Sequence, residues 1–309
     1  MPGMARVLVT RRLPGPALDR LTGAGHEVDL WPDPLPPPAA ELRARAATAD
    51  GLLCLLTDRV DTALLDAAPR LRAIANYAVG SDNIDVAAAA ARGIAVGVTP
   101  GVLTDATADL TLALLLSAAR RLPDAQRSVT DGRWTTWEPR AWLGLELRGA
   151  RLAVVGFGRI GQAVAERAAA FGMEVEPVRR GDDLHAALAR ADVVTLHCPL
   201  TPATRHLIDA ATLTAMKHTA ILVNTARGGI VEQVALAAAL RDGGIAAAAL
   251  DVTDPEPPAP NDPLLSAPNL IVLPHIGSAT VAARERMAEM AVDNLLAALA
   301  GEPMPHPAY

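Results

Sequence analysis

The sequence predicts an α/β protein built from two doubly wound parallel sheets, and three observations carry that reading. The chain has 309 residues, enough for about two domains at roughly 150 residues each. Its apolar runs are short and bounded by Asp, Gly or Pro, as expected of strands buried on both faces of a parallel sheet. Helical stretches fall between those runs, so strand and helix alternate along the whole chain.

In chain order, Arg6 to Thr10 reads as a strand, Ala17 to Ala24 as a helix and Glu27 to Leu30 as a second strand before the proline-rich loop Pro32 to Pro38. Leu52 to Leu56, Ala73 to Ala75 and Ile94 to Val98 continue the first sheet. Thr99, Pro100 and Gly101 break the pattern, and Thr104 or Asp105 caps a long apolar helix reaching about Arg120. A second series opens with strand Leu152 to Val155, a glycine turn, helix Ile160 to Ala170 and strand Glu174 to Val178. Val193 to His197, Ala220 to Asn224, Ala247 to Asp251 and Leu270 to Leu273 follow as strands, with helical stretches such as Glu232 to Leu240 between them. A last helix, about Val281 to Ala300, is long enough to leave the second domain and pack on the first. The expected domains are therefore 1–99 plus 283–309, discontinuous, and 100–282.

Composition excludes several function classes. Twenty-eight basic residues against 34 acidic ones give a net charge of −6, with no basic block and few aromatics, so a nucleic-acid partner is not expected. The apolar run Leu110 to Ala119 is shorter than the roughly 20 residues a bilayer requires, and the N-terminus lacks the pattern of a signal peptide. Cys54 and Cys198 form neither a disulfide framework nor a metal cluster, and the histidines, His197, His206 and His218 among them, lack metal-like spacing. A cytoplasmic protein without metal or membrane is the expectation.

Gly156-Phe157-Gly158-Arg159-Ile160-Gly161 is a GxGxxG between an apolar strand and a helix, the context a Rossmann-type dinucleotide site needs. The first glycine permits a tight turn, the second lets backbone approach a pyrophosphate, and the third allows close helix–strand packing. The acidic residue that usually meets the ribose 2′-hydroxyl, about 20 residues on, is replaced by Arg179 and Arg180. A carboxylate would repel a 2′-phosphate and guanidinium groups bind it, so the cofactor expected is NADP, with NADPH preferred over NADH. Asp182 and Asp183 lie close enough to pair with these arginines instead.

Ligands of open α/β sheets bind at the carboxyl ends of strands, and three polar residues stand there. Arg227 follows the strand ending at Asn224, Glu256 the one ending at Asp251, and His275 the one ending at Leu273. A guanidinium binds a carboxylate through two parallel hydrogen bonds, a histidine donates a proton to a carbonyl oxygen, and a neighbouring carboxylate keeps that imidazole charged. The set suits reduction of 2-oxo acids.

With this triad beside a glycine fingerprint, the chain resembles the D-isomer-specific 2-hydroxyacid dehydrogenase family over essentially its whole length. The segments from Asn76 to Asp85, Val102 to Leu110, Pro274 to Thr280 and Gly301 to Pro305 resemble the glyoxylate/hydroxypyruvate reductase branch in particular. The resemblance implies a flavodoxin-like substrate domain beside the Rossmann-type domain. It implies substrate binding by Val79, Gly80, Arg227 and His275, with Arg227, Glu256 and His275 catalytic and His275 the proton donor. Cofactor contacts are implied at Gly156, Gly158, Arg159, Ile160 and Gly161 for the pyrophosphate. Thr107, Thr225, Ala226 and Asp251 would border the nicotinamide, with Asp251 receiving its carboxamide, His275 and Gly277 would also contact the cofactor, and Pro199 and Thr204 would line the adenosine side. Formate dehydrogenases of the same superfamily carry Gln where Glu256 stands, which favours reductase chemistry.

Trp134, Trp137 and Trp142 cluster after the long helix in a chain poor in aromatics, which suggests a desolvated contact. By the resemblance this segment crosses a homodimer interface, with Trp142 reaching the partner's active site. Two other functions compete with reduction of glyoxylate and hydroxypyruvate: a nucleotide-sensing corepressor of the same fold, and a dehydrogenase acting on 2-ketogluconate or phosphite.

Overall fold

The computed structural model describes residues 3–308 and divides into two compact units. The first comprises Met1–Leu103 with Ala279–Tyr309, and the second Thr104–Ser278; Met1, Pro2 and Tyr309, at the ends of the expected first domain, lie outside the described residues. The units part a few residues after the first expected boundary and a few before the second. Packing explains both offsets: Val102 and Leu103 lie against the first unit's core, and Thr280 caps the last helix by accepting the Ala283 N–H.

The described strands of the first unit are β1 (Arg6–Val9), β2 (Glu27–Leu30), β3 (Gly51–Cys54), β4 (Ala73–Asn76) and β5 (Ala95–Gly97). They pair in parallel in the order β2-β1-β3-β4-β5, the flavodoxin-like arrangement. Alternation along the strands feeds two cores. Val7, Val9, Leu53, Ala73 and Ala75 pack with Met287, Ala291, Val292 and Leu295 of helix Val281–Leu299, while Leu8, Leu52, Cys54, Ile74 and Val96 face Leu42, Leu64 and Leu65 on the other side. The last helix thus covers one face of the first sheet. The third strand ends at Cys54 and not Leu56, because the Leu55 N–H turns to the Asp58 carboxylate at 2.8 Å.

In the second unit, β6 (Arg151–Val155), β7 (Glu174–Val178), β8 (Val193–Leu196), β9 (Ile221–Asn224), β10 (Ala247–Leu250) and β11 (Leu270–Val272) form a parallel sheet in the order β11-β10-β9-β8-β6-β7. Leu152 and Val154 pack with helices Thr104–Ala119 and Arg159–Ala170, and Ala153 and Val155 pack with the helices of the opposite face. Asp105 and Asp109, one helical turn apart, both pair with Arg167 of the facing helix, at 2.8 and 2.6 Å. The strand order reverses between β6 and β8, so the carboxyl ends of those two strands mark the crevice where ligands of such sheets bind.

Candidate active site and cofactor cradle

The glycine loop leaves β6 at that crevice. Gly156 has φ +91°, and a Cβ there would lie 2.5 Å from the Cys198 nitrogen after β8, so only glycine fits. A Cβ on Gly161 would lie 2.2 Å from the Gly156 carbonyl oxygen, which is the close packing the third glycine serves. Gly158 differs: a Cβ there would meet nothing within 4 Å, which leaves the space open above the loop. Gly158 is also the N-cap of helix Arg159–Ala170 and supplies no side chain to its first N–H groups. An open approach to uncapped N–H groups at the positive end of a helix suits a pyrophosphate. Arg159 and Ile160 form the first turn of that helix, Arg159 exposed and Ile160 partly buried.

The loop after β7 holds Arg179 and Arg180, both exposed. The two carboxylates that could compete for them are engaged with backbone. Asp182 accepts the Arg179 N–H at 2.7 Å, and Asp183 caps the next helix by accepting the Ala186 N–H at 3.0 Å. Among the described residues neither guanidinium has an ion-pair partner. Pro199 follows β8, and its carbonyl accepts the Thr204 hydroxyl at 2.6 Å, which folds the 199–204 loop back on itself.

The neighbouring strands β9, β10 and β11 deliver Arg227, Glu256 and His275 from their carboxyl ends. His275 Nδ1 and Glu256 Oε2 lie 2.8 Å apart, both side chains about a quarter exposed. The other Glu256 oxygen accepts the Thr253 N–H at 3.1 Å, so the carboxylate is fixed at both oxygens. A carboxylate at Nδ1 fixes the ring and leaves Nε2 for proton exchange, as donor when the imidazole is charged and as acceptor when it is neutral. His275 itself has φ +54°, a left-handed conformation that costs a non-glycine residue roughly 1–2 kcal/mol. Asp251 enforces it. The His275 N–H donates to the Asp251 carbonyl at 2.9 Å, and the Ile276 and Gly277 N–H groups donate to its two carboxylate oxygens at 2.7 Å each. Asp251 is buried, and that burial pushes its carboxyl above the ordinary range despite the two N–H donors.

A row of hydroxyls adjoins this turn. Thr107 donates to the Gly277 carbonyl at 3.3 Å, Thr111 donates to the Thr107 carbonyl at 2.8 Å, and the Thr111 and Thr225 hydroxyls lie 2.9 Å apart. The Ala226 N–H donates to the Asn224 side chain at 3.0 Å, and the Arg227 guanidinium donates to the Ala226 carbonyl at 2.8 Å. The structure therefore joins Thr107, Thr225, Asp251, His275 and Gly277 through short contacts, most of them from positions distant in sequence.

Val79 and Gly80 lie in the first unit, in the loop after β4, where the buried Asn76 side chain donates to the Gly80 carbonyl at 2.8 Å. Trp142 stands in the second unit with φ +59° and its ring 5.5 Å from the Arg121 guanidinium. The tryptophan cluster is not internal packing: Trp134 and Trp137 are largely exposed and line, with Trp142, Leu116 and Phe171, an open cavity of about 780 Å³. Two contributors escape sequence reasoning. Gln233 grips the main chain of Asp254 in the loop that carries Glu256, and Phe157 stacks against Arg179. Neither has a signal in spacing or composition, since each acts through a neighbour brought close only by the fold.

The family model for the D-isomer specific 2-hydroxyacid dehydrogenase, NAD binding domain, matches residues 112–277. The chain is 47% identical over 315 residues to the glyoxylate reductase of Korarchaeum cryptofilum, covering 97% of this chain and 95% of that protein. The crystal structure of the TT0316 protein from Thermus thermophilus is 52% identical, with a TM-score of 0.93, and covers 98% of this chain and 100% of its own. The structure of the NADPH-dependent glyoxylate/hydroxypyruvate reductase from Sinorhizobium meliloti, in complex with NADP and malonate, is 35% identical with a TM-score of 0.86, covering 99% and 97%. The chain belongs to the D-isomer specific 2-hydroxyacid dehydrogenase family, in the branch of its glyoxylate reductase relatives, and is an NAD(P)-dependent oxidoreductase.

Proposed function

We infer that the protein reduces small 2-oxo acids, glyoxylate and hydroxypyruvate foremost, with NADPH. The observation that carries the reading is the His275–Glu256 pair at 2.8 Å, delivered from β11 and β10, the two strands that follow the Arg227 strand β9 in the sheet. Arg227 holds the substrate carboxylate and the 2-oxo oxygen. His275 Nε2 gives its proton to the keto oxygen while Glu256 stabilises the imidazolium and fixes the ring. When bound, a reduced nicotinamide would supply the hydride for the 2-oxo carbon, and with the proton from His275 this balances reduction of the carbonyl to the alcohol. Thr107, Thr225, Ala226 and Asp251 would hold the nicotinamide end of the cofactor, and Pro199 and Thr204 the adenosine end.

Preference for NADPH rests on Arg179 and Arg180, whose nearby carboxylates are already committed to backbone N–H groups. The exposed tryptophans suit a homodimer in which Trp142 completes the partner's substrate pocket. Cys54 and Cys198 are free thiols, which suits the reducing cytoplasm. No described helix is long and apolar enough to cross a membrane.

The test is a paired steady-state assay at 340 nm, NADPH against NADH, with glyoxylate, hydroxypyruvate and a bulkier 2-oxo acid. Preference for NADPH with the two small acids is the expected result, and His275→Ala lowers turnover by roughly 10²-fold or more, the usual contribution of a positioned acid. Full turnover by His275→Ala would overturn the mechanism. Tight nucleotide binding without turnover would favour a nucleotide-sensing regulator instead.

A further inference from the structure

We propose that Phe157, the residue between the first two glycines of the fingerprint, is a positioning residue for cofactor choice: its ring braces Arg179 so that the guanidinium stands ready for an adenosine 2′-phosphate. The inference rests on the NADPH reading above and adds a residue to it.

The Arg179 guanidinium carbon lies 4.8 Å from the centroid of the Phe157 ring, well within cation–π range. Both partners are anchored at the backbone. The Gln162 side chain donates to the Phe157 carbonyl at 3.1 Å, and Arg179 is held by the turn in which Asp182 accepts its N–H and the Asp182 N–H donates to its carbonyl at 3.1 Å. The Gly156 N–H also donates to the Val178 carbonyl at 2.9 Å, so the glycine loop and the arginine loop form one joined surface. Arg179 is otherwise exposed, and an exposed arginine loses side-chain freedom when it binds a phosphate. A ring stacked on one face removes part of that loss beforehand and leaves the N–H edge free for phosphate oxygens. Arg180 shows no such support among the described residues.

The experiment compares affinities for 2′,5′-ADP and 5′-AMP, which differ only in the 2′-phosphate, by isothermal titration calorimetry on the full chain. Phe157→Leu keeps an apolar side chain and removes the ring face; Phe157→Tyr keeps the face. The expected result is that Phe157→Leu weakens 2′,5′-ADP by roughly two- to five-fold, the equivalent of an exposed cation–π contact, with 5′-AMP unchanged and Phe157→Tyr close to the parent. Arg179→Ala lowers the 2′,5′-ADP affinity further and makes Phe157→Leu silent in the double variant. Equal weakening of both ligands by Phe157→Leu, or weakening of neither, overturns the proposal while the NADPH reading stands. A parent protein that binds the two ligands equally removes the NADPH reading, and the role of Phe157 with it.

Discussion

Gln233 grips Asp254 from both sides of one residue: its Oε1 accepts the Asp254 N–H at 2.7 Å, and its Nε2 donates to the Asp254 carbonyl at 2.8 Å. Asp254 stands two residues before Glu256, so this amide fixes the loop that presents the carboxylate to His275. Losing both bonds loosens Glu256 without removing any group that touches substrate. Gln233→Ala should lower kcat roughly ten-fold, the equivalent of about 1.4 kcal/mol, while the cofactor Kd stays within about two-fold. Steady-state kinetics with a parallel fluorescence titration of NADPH separates this from a general loss of folding, which would lower both.

The three fingerprint glycines should respond differently to alanine. Gly156→Ala places a methyl 2.5 Å from backbone at φ +91°, and Gly161→Ala places one 2.2 Å from a carbonyl oxygen. Each should destabilise the protein by about 2 kcal/mol or more in denaturant titrations. Gly158→Ala meets open space at φ −80°. It should unfold at the parent's denaturant midpoint yet lose dinucleotide affinity, because the methyl occupies room a pyrophosphate needs.

His197, next to the glycine loop, gives stability a defined acid limb. Burial holds its imidazole down at about 4, and its Nε2 lies 2.9 Å from the Thr195 hydroxyl. The unfolded chain titrates near 6.5, so between about pH 6.5 and 4 it binds a proton that the folded state refuses. The contribution is complete above pH 6.5 and is lost as pH falls toward 4, by at most about 3 kcal/mol. Denaturant titrations across that range should show a shallower slope for His197→Gln than for the parent. Asp192 and Asp209, whose carboxyls are held low, lose their share at more acid pH and do so equally in both proteins.

Asn294 ties the last helix to the edge of the first sheet. Fully buried, it donates to the Val98 carbonyl at 3.0 Å and accepts the His306 N–H at 2.9 Å. Gly97 makes room for it, since a Cβ there would lie 2.6 Å from the Asn294 side chain. Asn294→Ala leaves both backbone groups without this partner and should cost about 2–4 kcal/mol, read as a lower denaturant midpoint.

Elements whose physics is local were legible in the sequence. The glycine fingerprint, the buried strands and the strand-end positions of Arg227, Glu256 and His275 all follow from residue type against a periodic background. The short helices Ala39–Ala46, Thr62–Ala67 and Val86–Ala91 do not stand out in the sequence, because segments of about two turns or less show too few repeats of the helical period to carry amphipathic contrast. The left-handed backbone at His275 was hidden too. It is imposed by Asp251, far back along the chain, and no local propensity of histidine announces it. Phe157 and Gln233 were silent for the same reason: their partners, Arg179 and Asp254, are neighbours only after folding.

The helix Val281–Leu299 that covers the first sheet also sets an order for synthesis. A ribosome completes every strand of the second unit before that helix emerges, so the second unit can close while the first still shows Val7, Val9, Leu53, Ala73 and Ala75 uncovered on one face. The nascent chain therefore carries an open apolar face for most of its translation, and that face, more than the second unit, is where a chaperone would be needed.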